Sequence, residues 1–279
     1  MSGHVGRPPA PEALPIPVVD NHTHLDIARD GADLPDIQSV IDDATAVGVP
    51  RMIQIGCDLP SARFTIEVID RYAALLGGVA LHPNEAPRLH ANGELDSAKA
   101  EIELLANHPR VRVISETGLD YFRTGPEGVA AQQDSFRWHI DLAKRTGKAL
   151  QVHDRDAHED VLRILAEEGA PERTVLHCFS GNIAMARTCV ELGYFLSFSG
   201  TVTFKNAREL RNALSVTPMD NLLVETDAPF LTPAPHRGAT NAPYLVPLTV
   251  RAMAGVLNVD VPALCTALAA NSERVYGRW

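Results

Sequence analysis

What the chain lacks removes several classes of protein. It has only four cysteines in 279 residues, Cys57, Cys178, Cys189 and Cys265, and no C-x-x-C pair. That excludes a disulfide framework and a zinc knuckle, and reads as reduced thiols in a cytoplasmic protein. No apolar run approaches the roughly 20 residues needed to span a bilayer. The first residues show no basic segment followed by an apolar one, so no secretory signal is expected. Positive charge is scarce: 25 Lys and Arg against 35 Asp and Glu give a net charge of −10. An acidic chain is unsuited to wrapping a long duplex, which needs a basic surface. A few arginines can still bind phosphate locally. Neither G-x-G-x-x-G nor G-K-[ST] occurs, which argues against an open doubly wound sheet with a phosphate loop. No internal repeat or inter-domain linker is evident.

What is present is a regular alternation. Short apolar runs at Val18–Val19, Arg51–Ile55, Gly78–Leu81, Val111–Ile114, Ala149–Val152, Thr174–Leu176, Tyr194–Phe198 and Leu222–Val224 read as strands. Helical patterns lie between them. In Ala157–Glu168, residues Val161, Leu162 and Leu165 recur at helical spacing, and in Gly128–Lys144 residues Phe136, Ile140 and Ala143 share a stripe. Gly48, Gly147, Gly169 and Gly193 fall where a helix closes before the next strand. Eight strands with intervening helices fit a single-domain (β/α)₈ TIM-like barrel over residues 18–279. Residues 243–279 supply the closing helices. Met1 to Pro17, with five prolines and little that packs, reads as a disordered tail.

The chemistry lies just past the strands. D-N-H-T-H-L-D follows the first, S-E-T-G-L-D the fourth, H-D-R the fifth and H-C-F-S-G the sixth, while E-T-D-A-P-F ends the eighth. In a barrel these ends converge on the face where active sites form. Side chains two apart on an extended strand point the same way, so His22 and His24 can grip one ion with Asp227 completing its site. His153 and His177 can hold a second ion, and Glu116, with two oxygens, can bridge both. Such a pair activates a shared water and clamps a displacement at phosphorus or carbonyl. A lone His at a strand end is usually satisfied by a neighbour, and an Asp there is usually a helix cap. Six such residues at the strand ends of one barrel are not explained that way. Glu116 and Asp227 are the catalytic candidates. Candidate substrate contacts are His82, Arg155, Glu225 and Arg237, the two arginines as phosphate anchors. Asp26 reads as a ligand-orienting partner or a cap, and Cys178 as packing.

These segments together resemble the TatD family of metal-dependent deoxyribonucleases, within the amidohydrolase-like barrels. The matching stretches are DNHTHLD at 20–26, ALHP at 80–83, SETGLDYF at 115–122, VHDRDA at 152–157, HCFSG at 177–181, SFSGTVTFKNA at 197–207, ETDAPFL at 225–231 and HRGATNAPY at 236–244. The resemblance implies a TIM-like barrel, the six ligands at the matching positions, and divalent-metal hydrolysis of DNA phosphodiesters, commonly by an exonuclease. Many barrel amidohydrolases bridge their metals with a carboxylated lysine on the fourth strand. Glutamate at position 116 needs no modification and favours the TatD-like branch.

The expectation is a cytoplasmic hydrolase with two divalent ions (zinc, manganese or magnesium) acting on single-stranded or frayed DNA ends, with no membrane association and no stable protein partner. A small-molecule amidohydrolase or lactonase using the same two metals is the alternative. A non-catalytic barrel holding structural metals is a third reading, opposed by a donor set of His and carboxylate rather than cysteine.

Overall fold

The computed structural model describes residues 7–29 and 33–279. Strands β1 (Val19–Thr23), β2 (Arg51–Gly56), β3 (Leu75–Val79), β4 (Val111–Asp120), β5 (Ala149–Arg155), β6 (Thr174–Leu176), β7 (Phe195–Phe198) and β8 (Leu222–Val224) form one parallel sheet in sequence order. Helices α1 (Ile37–Ala46), α2 (Leu59–Arg71), α3 (Glu85–Ala91), α4 (Leu95–Ala106), α5 (Pro126–Thr146), α6 (His158–Glu168), α7 (Ile183–Glu191) and α8 (Arg208–Val216) occupy the crossovers, and α9 (Val246–Leu257) and α10 (Val261–Tyr276) follow the last strand. The ring closes just beyond β8. Asp227 N–H donates to His22 O at 2.9 Å, and His24 N–H to Ala228 O at 2.8 Å. This is the expected (β/α)₈ barrel. Gly48, Gly147, Gly169 and Gly193 all take positive φ at or just past helix ends, as their sequence positions required.

The barrel interior is layered. Alternate strand residues point inward. At the lower end Ile53, Leu76, Val113, Ala149, Val175, Phe195 and Leu223 pack with Val275 and Tyr276, which α10 inserts as a plug. Above them runs a polar layer. The Gln151 amide donates to Asn21 Oδ1 at 2.6 Å and to the Tyr276 hydroxyl at 3.2 Å, and Asn21 Nδ2 donates to Ser197 Oγ at 2.9 Å. The second, larger core lies between the strands and the helices.

Two interruptions shape the upper layer. Between Asp20 and Thr23, two residues of β1 face one of β2. Between Ile114 and Thr117, two of β4 face one of β5. Each is a one-residue bulge, a device that re-aims side chains. At each bulge two consecutive side chains enter the lumen, Asn21 with His22 and Ser115 with Glu116. Simple alternation predicts only one from each pair.

Two expectations are corrected. The third strand is Leu75–Val79, three residues before Gly78–Leu81, because β3 pairs Met52 with Leu75 through Gly56 with Val79. The tail expected over Met1 to Pro17 packs from residue 7 onward, and residues 1–6 lie outside the described residues. Leu14 is buried and its N–H donates to Val47 O at 3.0 Å. The Tyr244 hydroxyl donates to Pro8 O at 2.7 Å, Arg251 donates to Ala13 O at 3.1 Å, and Arg7 pairs with Asp43. A proline-rich segment keeps free carbonyls, and here side chains of α9 and its approach use them as acceptors. Among the described residues, no single helix is long and apolar enough to cross a membrane.

Candidate metal centre

His22, His24, Glu116, His153, His177 and Asp227 meet at the C-terminal mouth, as the strand-end argument required. His22, His24, Glu116 and His177 are buried, and His153 and Asp227 are partly so. Two donors sharing a tetrahedral ion at about 2.0–2.1 Å lie roughly 3.3 Å apart. His22 Nε2 and His24 Nε2 are 3.2 Å apart, and His24 Nε2 is 3.4 Å from Asp227 Oδ1. Glu116 Oε2 is 3.5 Å from His22 Nε2 and 3.9 Å from His24 Nε2. Imidazole and carboxylate donors at these spacings suit a shared cation.

The other carboxylate oxygen faces the opposite way. Glu116 Oε1 is 3.0 Å from His177 Nε2, 2.5 Å from His153 Nδ1 and 3.6 Å from His82 Nε2. Thus each oxygen of Glu116 addresses a different set of imidazoles. His153 and His177, expected around a second ion, both approach Glu116 Oε1. Donor atoms close enough to share a cation are those of His22, His24 and Asp227, of His22, Glu116 and His177, of His24, Cys57 and Glu116, and of His82, Glu116 and His153. His153 Nε2 is buried without a hydrogen-bond partner, 3.5 Å from Asp120 Oδ2. A buried orphan nitrogen in a nest of carboxylates fits a site built for a cation.

Three imidazoles are fixed from behind. His22 Nδ1 is 2.8 Å from Gln151 Oε1, His24 Nδ1 is 3.1 Å from Ile55 O, and His177 Nδ1 is 2.9 Å from Glu225 Oε1. Each acceptor holds the proton on Nδ1 and turns the Nε2 lone pair toward the cluster, as metal-ligating histidines require. Asp227 stands at φ 56, a left-handed conformation tolerated by a short polar side chain, which swings its carboxylate in from the end of β8. Gly118, at φ 137, lies so close to β5 that a Cβ would fall 2.0 Å from His153 O. Only glycine lets β4 press against the backbone that carries His153.

Charge in the cluster is strongly redistributed. Burial would raise Glu116, but His177 and His153 outweigh it and hold the carboxyl well below its usual range. Against burial, Glu225 and Glu116 push His177 well above the ordinary imidazole value. Likewise Glu116 and Asp120 raise His153 to about 9. Burial takes His82 down to about 4. Protonated imidazoles thus balance the carboxylates here, a role that divalent ions would take over.

The four candidate substrate contacts divide. His82 borders the cluster, with Nδ1 accepting from Asn84 N–H at 3.1 Å. Arg155 is exposed two residues past His153, its guanidinium carbon 3.9 Å from the Phe122 ring centroid. Arg237 is exposed, 4.0 Å over Phe204, and hydrogen-bonds to no cluster residue. Glu225 is corrected: it is fully buried, binding His177, Cys178 N–H at 2.9 Å and the Ser197 hydroxyl at 2.5 Å, so it supports the cluster from below. Asp26 neither caps a helix nor orients a ligand. It accepts from Gln54 at 2.8 Å and Ser61 at 2.5 Å, tying the loop after β1 to α2. Cys57 was missed. The β2 alternation Ile53, Ile55, Cys57 carries it inward, where Sγ lies 3.5 Å from Glu116 Oε2, and burial pushes the thiol up to about 12.

A parallel barrel whose mouth holds a buried cluster of imidazoles and carboxylates, divided by one glutamate, defines a metal-dependent hydrolase of the TIM-barrel class. The family model described as TatD related DNase matches residues 19–277, and the chain belongs to that family. It is 47% identical over 264 residues to the uncharacterized metal-dependent hydrolase TatD of Mycobacterium tuberculosis, covering 93% of this chain and 98% of that protein. Its fold is similar to YjjV, a TatD homolog from Escherichia coli K12, with a TM-score of 0.84 at 24% identity over 94% of this chain and 98% of that one. The organophosphorus hydrolase of Deinococcus radiodurans is a more distant likeness, with a TM-score of 0.66 at 16% identity over 95% and 93% of the two chains.

Proposed function

We propose that the protein is a two-metal phosphodiesterase that hydrolyses DNA, removing nucleotides from single-stranded or frayed ends. The observation that carries this reading is Glu116, whose two oxygens face separate donor sets. His22, His24 and Asp227 would hold one ion and His177 and His153 the other, with Glu116 between them. Zinc, manganese and magnesium all suit a donor set of imidazole and carboxylate. When bound, such a pair activates water and offsets the charge that develops on a scissile phosphate. Asp227, at the open side of the cluster, stands to accept the proton of the attacking water. His82, neutral in the ordinary pH range, stands to donate a hydrogen bond from Nε2, since Nδ1 already accepts one. Arg155 and Arg237 serve as phosphate anchors. The partly buried free thiol of Cys57 beside the cluster suits a reducing compartment, consistent with a cytoplasmic enzyme.

A second reading, hydrolysis of a small organophosphate or lactone, draws on the likeness to organophosphorus hydrolase. The acidic chain with arginines at its mouth favours a polyanion held at few points. The test is cleavage of a short oligonucleotide labelled at either the 5′ or the 3′ end, with chelator and after metal restoration. A single-stranded substrate should be shortened stepwise, chelator should stop it, and closed circular duplex should resist. Turnover of lactones or organophosphates without DNA cleavage would establish the second reading.

A further inference from the structure

Two phenylalanines stand exposed at the mouth, Phe122 at 62% and Phe230 at 37%. They are the exposed phenylalanines among the described residues, and both lie within three positions of a cluster residue. Phe122 is two past Asp120, at the end of β4, and Phe230 is three past Asp227, beyond β8. Strands four apart in an eight-stranded ring are on opposite sides. Each ring also flanks a different half of the cluster. Phe230 meets His24 edge-on with ring centroids 6.4 Å apart. The Phe122 loop is tied to the His153 strand, since Tyr121 N–H donates to Arg155 O at 2.9 Å.

Each phenylalanine also has an arginine over it. Arg155 sits 3.9 Å from the Phe122 centroid, and Arg29 sits 5.9 Å from that of Phe230 while donating to Pro229 O at 3.3 Å. An exposed cation–π pair contributes only about 0.5–1 kcal/mol. That does little to offset the exposed part of each ring, and what sets these two apart from the exposed leucines is their place beside the cluster under an arginine. In a chain with a net charge of −10, pairing both rings with arginine matches a ligand that presents flat faces beside negative charge.

We propose that Phe122 with Arg155, and Phe230 with Arg29, are two nucleobase-stacking platforms that bracket the metal cluster and hold the bases on either side of the scissile phosphate. The inference rests on the phosphodiesterase reading. It adds that the ligand is gripped through unpaired bases as well as phosphates. Stacking needs splayed bases, so a duplex cannot use both platforms until its end opens. Stacking is also tolerant of sequence, because every base has a π-face. A protein partner fits poorly, since its apolar surface would have to span the charged cluster between the rings.

The test measures binding of the full-length protein to a nuclease-resistant phosphorothioate single strand carrying 2-aminopurine near its end, and to an abasic strand of equal length. The wild type should prefer the base-bearing strand, with quenched 2-aminopurine fluorescence on binding. Phe122→Ala and Phe230→Ala should each weaken that binding by about 5- to 150-fold, the range expected for loss of one stacked base. The preference over the abasic strand should collapse toward one, and Phe122→Tyr and Phe230→Tyr should restore it. Phe122 is solvent-facing and Phe230 partly so, and circular dichroism and the melting temperature should report folded variants. Equal wild-type affinity for the two strands, no wild-type binding of either, or a preference that survives both alanine variants would overturn the platforms. If the base preference appears but metal-loaded enzyme cleaves no DNA, the platforms stand and the phosphodiesterase reading fails.

Discussion

Glu225 lies directly beneath His177, its Oε1 2.9 Å from Nδ1, while the far nitrogen of the same ring is 3.0 Å from Glu116 Oε1. The buried carboxylate therefore acts on the cluster through an imidazole. Glu225→Gln keeps the shape and a carbonyl acceptor but removes the charge that raises His177. Loss of such a partner typically costs 10- to 100-fold in metal affinity or activity. Metal content by elemental analysis should fall along with kcat, while KM changes little. An increase in KM with full metal content would instead make Glu225 a substrate contact.

Glu116 faces both donor groups, so neutralising it should be felt by both. In Glu116→Gln the charge between two cations is gone, and their repulsion is uncompensated. At least one ion should be lost, and hydrolysis should drop by two orders of magnitude or more. The barrel should remain folded, since its cores lie below and around the cluster. Near-normal turnover with two bound ions would remove the bridge.

Tyr276 links the C-terminal helix to the polar layer. Its hydroxyl donates to Asn21 Oδ1 at 3.0 Å and accepts from Gln151, whose Oε1 holds His22. Tyr276→Phe removes one buried hydroxyl and leaves two polar neighbours short of a partner. Urea unfolding should show a loss of about 1–3 kcal/mol. A weaker effect on the affinity of the first metal should accompany it, through Gln151.

The residues that carry chemistry were legible because barrel topology gathers strand ends however far apart they are in sequence. His22 and Asp227 needed only the eight-strand alternation to be placed together. What one sequence does not show is ladder register. The bulges at Asp20–Thr23 and Ile114–Thr117 bring Asn21 and Ser115 inward beside the ligands, and no residue pattern marks them. Glu225 shares its inward parity with Asp227, and parity alone does not say that one lies a layer deeper. Cys57 was visible by the same parity on β2, but the apolar run before it drew no attention to the strand end. The N-terminal prolines suggested disorder because composition does not reveal which carbonyls will find donors. The sequence places the third strand late because Ala80 and Leu81 extend the apolar run past the last ladder pair.

His139, on α5, gives a pH dependence with a definite sign. It is fully buried, its Nε2 accepts from Leu81 N–H at 3.1 Å, and its Nδ1 lies 2.7 Å from Ser135 O. Burial drives its pKa down from 6.5 to about 3, with Lys99 adding to the shift. Between those values the unfolded chain binds a proton here that the folded chain does not. This contribution to stability is therefore complete above about pH 6.5 and declines as pH falls toward 3. Between pH 7 and pH 5 the linkage amounts to about 2 kcal/mol. His139→Gln retains an acceptor for Leu81 but does not titrate. Over the same interval, urea unfolding of the wild type should lose about 2 kcal/mol more than the variant. Groups elsewhere titrate alike in both proteins and cancel in the difference. Parallel pH profiles for the two would show that His139 does not stay neutral in the folded state.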